Sequence, residues 1–74
     1  MLRVTVFQGL RRLYAGTAAR VVLPGEDGQV AVLDWHAPML CTLGPGEVEI
    51  DEARFPVRRG VARVARNQVT VVTQ

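Results

Sequence analysis

A chain of 74 residues with one cysteine and a net charge of +2 has room for a single domain and for no internal disulfide. So short a chain buries only about 60% of the surface it exposes when unfolded, so its stability rests on apolar packing or on a partner. Nine arginines against seven acids, scattered as pairs and singles, lack the dense basic stripe of a nucleic-acid track.

From the N-terminus, Leu2, Val4 and Val6 alternate with Arg3 and Thr5, the period of a half-buried strand. Met1 to Phe7 breaks off before the apolar core of a signal peptide could form. No apolar run reaches the roughly 18 residues of a membrane span, so the expected compartment is cytosolic and reduced. Val21-Val22-Leu23 and Val30-Ala31-Val32-Leu33 are continuous apolar runs, which predicts strands covered on both faces. Alternation returns at Val48 and Ile50 against Glu47, Glu49 and Asp51, then at Phe55 and Val57 against Arg54 and Arg58. It closes with Val69 and Val71 against Gln68 and Thr70. Gln8-Gly9, Pro24-Gly25, Asp27-Gly28, Gly44-Pro45-Gly46, Arg59-Gly60 and Arg66-Asn67 punctuate these runs as turns. No stretch of ten residues carries helical spacing with caps. The pattern predicts one all-β domain over residues 1–74, a two-sheet sandwich or flattened barrel of about eight to ten short strands.

The chemistry available is sparse. His36 and Cys41 are the side chains with reactive potential, yet nothing in their spacing across Pro38 enforces a nucleophile pair with an orienting third group. One His and one Cys fall short of a zinc site. Glu26 and Asp27, in a Pro-Gly…Gly turn, read as a solvated loop tip. The glycines beside them lead into a strand, where a phosphate cradle would lead into a helix. In the alternative of a ligand-binding barrel, Arg58 and Arg59, with Arg63 and Arg66 following, would form a small anion-binding face. A barrel that binds nucleic acid would add exposed aromatics, and there are only four: Phe7, Tyr14, Trp35 and Phe55.

Five segments in order and spacing resemble the N-terminal β-sandwich domain of the epsilon subunit of rotary F-type ATP synthases. They are Leu13-Tyr14-Ala15-Gly16, Val22 to Gly28, His36-Ala37-Pro38, Pro45-Gly46-Glu47-Val48 and Asn67 to Val71. The resemblance covers essentially the whole chain. It implies a non-catalytic central-stalk (rotor) subunit of a proton- or sodium-translocating enzyme, linking gamma to the polar loops of the membrane c-ring and helping to couple rotation to ATP synthesis. The implied contacts are Glu26, Asp27 and Gln29 with the c-ring, and His36, Met39, Leu40, Cys41 and Leu43 with gamma. It also implies no cofactor, no metal, no nucleic-acid partner, and a place at the cytoplasmic face of the bacterial inner membrane, peripheral and only through the complex. The alternative readings are a small β-barrel that binds nucleic acid or a small anion and, third, a hydrolase or metal site.

Five departures from the family pattern stand out. Asp34-Trp35 occupies the place of a usual Pro-Gly, which predicts a different turn and an indole exposed toward a partner, because Trp takes positive φ only with strain. Ala31 replaces a common Gly, Arg58-Arg59 stand where small residues are usual, and Gln29 replaces a common acid. The C-terminal helical hairpin of most members is absent from these 74 residues, as in a short epsilon or a trimmed one. Ile50 to Arg54 resembles the start of an Asp-x-x-Arg nucleotide motif, but lies between two alternating runs. Asp51-Glu52-Ala53 therefore reads as a hairpin turn, and no ATP binding is expected.

Overall fold

The computed structural model describes residues 1–74 as nine β-strands without a helix. In chain order they are β1 (Leu2–Gln8), β2 (Arg11–Ala18), β3 (Val21–Gly25), β4 (Gly28–Val32), β5 (Met39–Leu43), β6 (Gly46–Ile50), β7 (Ala53–Val57), β8 (Gly60–Ala65) and β9 (Gln68–Thr73). One layer runs β2-β1-β9-β8-β5 and the other β4-β3-β6-β7. A single bridge, Gly25 opposite Leu43, joins the layers at one corner. The all-β sandwich predicted from alternation is the fold found.

Every strand pair is antiparallel except β1 with β9, which run parallel from Arg3–Gln68 to Gln8–Thr73. The two ends of the chain thus lie side by side at the centre of the five-stranded layer. Period two explains what fills the space between the layers. Leu2, Val4 and Val6 of β1, Val69 and Val71 of β9, Ala62 and Val64 of β8, and Val48 and Ile50 of β6 all point inward and are buried. Sixteen such residues form one core. At the seam away from the corner, Tyr14 of β2 and Phe55 of β7 meet edge to face, ring centroids 5.7 Å apart. That pair closes the sandwich on its far side.

β3 meets the expectation for a covered strand, since Val21, Val22 and Leu23 are all buried. β4 does not. It pairs with β3 alone, Ala31 is exposed, and Leu33 lies beyond the strand with more than half its surface in water. An edge strand with one wet face needs alternation only, and Val32 supplies its buried position.

Candidate functional site

The corner where the layers join carries the segments singled out in the sequence. β3 and β4 are connected by a two-residue turn, Glu26-Asp27, closed by Gly25 opposite Gly28. Gly28 takes φ +127, open only to glycine at low cost. Both acids are exposed at the tip, and Gln29 follows on β4, also exposed. Neither acid is paired with a cation: the ion pairs of the chain involve Asp34, Glu47 and Glu49.

β5 faces that tip. Its alternation puts Met39, Cys41 and Leu43 toward the core side and Leu40 and Thr42 toward water. Gly25 to Val30 and Met39 to Thr42 line one open groove of about 390 Å³. The structure therefore brings the expected c-ring residues Glu26, Asp27 and Gln29 together with Met39, Leu40 and Cys41 of the expected gamma set. Leu43 is different. Its side chain is fully buried in the core, so it holds the corner together and cannot reach a partner. The physical reason lies in the strand period: residues three apart point to opposite faces, so Leu40 and Leu43 never share one. His36, half-buried, sits in the β4–β5 loop, where its Nδ1 lies 2.7 Å from the Ala37 carbonyl oxygen.

Cys41 is buried at the base of the groove, and burial pushes its thiol above the ordinary value, with Asp27 and Glu26 adding to the rise. Such a thiol stays protonated at neutral pH and is a poor nucleophile. Its hydrogen-bond contact is with the Thr42 carbonyl, at 3.8 Å, and not with His36. No three His, Cys, Asp or Glu side chains gather as metal ligands. The corner has the makings of a contact surface.

The four arginines read as one anion face are strung out along β8. Arg58 and Arg59 precede β8 and Arg66 follows it, roughly 20 Å apart for a six-residue strand. Arg63 and Arg66 share a shallow hollow with Gln68 and Thr70. The Asp51–Arg54 pair is likewise taken apart by local structure. Asp51, at φ +51 in the β6–β7 turn, accepts hydrogen bonds from the Ala19 and Arg20 amides. Arg54 lies 3.7 Å from both Glu47 and Glu49.

The sequence marks Asn67 only as a turn residue, and its bridging role emerges from the fold. Asn67, at φ +59 in the β8–β9 hairpin, accepts the Trp35 amide on Oδ1 at 2.7 Å and donates from Nδ2 to the Met1 carbonyl at 3.0 Å. Its own carbonyl accepts the Arg3 amide at 3.0 Å. Asn in a two-residue hairpin turn is the available signal, because Asn tolerates the left-handed region and its amide bonds nearby backbone. The loop that Asn67 holds is the one expected to differ. Instead Trp35 keeps the positive φ, +61, and His36 N–H closes the turn on Leu33 C=O at 3.1 Å. The expected change of turn is thus corrected: two hydrogen bonds hold the strained residue in place. The indole is exposed, as expected, with 77% of its surface in water.

A stability consequence follows for Trp35. A left-handed L-residue costs roughly 1–2 kcal/mol, while glycine's extra freedom when unfolded costs about 0.5–1 kcal/mol. Trp35→Gly is expected to leave stability unchanged or raise it by up to about 1.5 kcal/mol. Urea midpoints of the two chains check this, and a loss above 1 kcal/mol would show that the indole is packed after all.

Known proteins resemble the whole of this arrangement. The family model for the ATP synthase delta/epsilon chain β-sandwich domain matches residues 1–74. The chain is 36% identical to ATP synthase epsilon chain 2 of Ralstonia nicotianae, over 97% of its own length and 55% of that protein's. It is 41% identical to epsilon chain 2 of Burkholderia orbicola, covering 81% and 43%, and 35% identical to the epsilon chain of Halorhodospira halophila, covering 96% and 55%. The chain thus spans about half the length of these curated relatives. Among solved structures, a chain in the central stalk/c-ring of the Tetrahymena thermophila mitochondrial ATP synthase superposes with a TM-score of 0.77. That match covers 99% of this chain and 63% of the other at 15% identity, a likeness of fold. Strand order, core and sequence together make this chain a member of the ATP synthase delta/epsilon chain β-sandwich domain family.

Proposed function

We propose that the chain serves as a central-stalk subunit of a proton- or sodium-translocating F-type ATP synthase. In this role it links gamma to the c-ring loops and helps couple ring rotation to ATP synthesis. It has no catalytic residue of its own, and it is held peripherally at the cytoplasmic face of the bacterial inner membrane through the complex alone. The observation that carries this reading is the corner: a short acidic tip and an exposed strand face meet around one groove in a chain of this family. The tip suits a bearing surface, since a two-residue turn flanked by Pro24 and Gly28 transmits force with little slack. Glu26 and Asp27, unpaired in the chain, complement basic groups on ring loops. His36, Met39 and Leu40 form the accessible part of the gamma face, with Cys41 and Leu43 behind them. No nucleotide site belongs to this reading, because Asp51 and Arg54 each hold other partners.

Cysteine at Gln29, with Cys41 replaced by Ala to remove the native thiol, is expected to crosslink to a c-subunit loop in the assembled enzyme. Coupled enzyme that gives no crosslink from any position between Glu26 and Gln29 would rule out the ring contact.

A further inference from the structure

One wall of the groove is the edge of β5, which no other strand covers along most of its length. β5 pairs along its whole length with β8 but touches β3 only at the Gly25–Leu43 bridge. Around that bridge the Glu26 amide donates to the Thr42 carbonyl at 3.0 Å, and the Gly44 amide donates to the Pro24 carbonyl at 2.9 Å. In an antiparallel ladder the N–H and C=O of one residue point the same way, alternating along the strand. Because the Thr42 carbonyl points away from β8, so do the Thr42 amide and both backbone groups of Leu40. Those three groups have no backbone partner.

The free edge of β4 is bare as well, on the side of the β3–β4 hairpin away from β5. Pro24 has no N–H and its carbonyl is taken by Gly44, so Pro24–Gln29 is a non-bonded pair of the β3–β4 ladder. The backbone groups of Gln29 and, two residues on, Ala31 therefore face outward from the free edge of β4. Natural sheets blunt a bare edge with prolines, bulges or charges, or cover it. The β5 edge has no proline, bulge or charge from Met39 to Leu43, and its outward side chains are Leu40 and Thr42. At its corner end stand the two unpaired acids Glu26 and Asp27.

We propose that this groove is a strand-addition site: an extended protein segment pairs with the free edge of β5, taking hydrogen bonds from the Leu40 and Thr42 amides and giving one to the Leu40 carbonyl. The segment carries apolar side chains beside Leu40 and, at the end nearest the tip, a Lys or Arg that shares Glu26 and Asp27 with the basic groups of the ring loops. Main-chain bonds supply the register and the acids supply the direction. The inference rests on the reading of residues 36–43 as the face toward gamma, and it specifies how that face is engaged.

Amide hydrogen exchange on the ¹⁵N-labelled 74-residue chain, alone and with the gamma subunit, tests it. In the free chain Leu40 and Thr42 are expected to exchange at least tenfold faster than Cys41, whose amide bonds to β8. On binding gamma they are expected to slow at least a hundredfold. Leu40→Pro, which removes only an amide that the fold does not use, is expected to retain the sandwich and weaken binding at least tenfold. If gamma binds and the two amides stay fast, strand addition is wrong while the partner face stands. If gamma does not bind, both fall. Protection that instead rises with the concentration of the chain alone would identify a second copy as the occupant and overturn the proposal.

Discussion

Leu43→Ala is expected to lower the melting temperature by about 8–40 °C. The side chain is fully buried, and truncating a buried leucine costs about 2–5 kcal/mol in lost transfer energy and residual cavity. In a domain of 60–100 residues each kcal/mol moves the midpoint by about 4–8 °C. The total stability of a 74-residue fold, at about 0.05–0.15 kcal/mol per residue, is only about 4–11 kcal/mol, so the loss is a large share of the whole. Location adds to it. Leu43 stands opposite Gly25 at the one bridge joining the two layers, and no neighbouring strand pair can absorb a shift there. Thermal melts followed by circular dichroism give the midpoint. A change of less than about 4 °C, the shift expected of 1 kcal/mol, would show that the corner is loosely packed and that Leu43 is not a core residue in solution.

That result bears on what could be read from the chain alone. The alternating runs around Val4, Val48 and Val71 mark their strands because each buries one face, and period two registers burial directly. The parallel pairing of β1 with β9 left no such trace, since it joins segments more than sixty residues apart and side-chain period is the same in either direction. β4 was misread for a related reason. A continuous apolar run shows that side chains are apolar, not that a second strand or layer covers them, and Leu33 and Ala31 remain in water. At the site, the segments were legible and their geometry was not. Resemblance placed Leu40 and Leu43 in one contact set, whereas strand period separates them into a surface residue and a core residue. Asn67 was legible as a turn residue but its bridging role was not, because that role depends on three segments, Met1 to Arg3, Trp35 and the β8–β9 turn, that only the fold brings together.

Leu40→Asp is expected to have the opposite phenotype from Leu43→Ala: an unchanged fold and a lost partner. Leu40 keeps 74% of its surface in water in the isolated chain, so a charge there stays hydrated and the melting temperature should move by no more than a few degrees. In the proposed complex the same position is covered by gamma. Full burial of a leucine contributes about 1.5–3 kcal/mol, and an aspartate in its place loses that gain and adds an unpaired carboxylate to a site already holding Glu26 and Asp27. At 1.4 kcal/mol per factor of ten, the transfer term alone weakens binding by about ten- to a hundredfold, and desolvation of the charge carries it further. Calorimetric titration with gamma, run beside a melt of the variant, separates the two effects. Thr42→Asp, two residues along on the same outward face, should weaken binding less, because it removes little apolar area. Equal affinity for the native chain and Leu40→Asp would move the gamma contact away from β5. Equal melting temperatures for Leu43→Ala and Leu40→Asp would contradict the division of this strand into a core face and a partner face, on which both expectations depend.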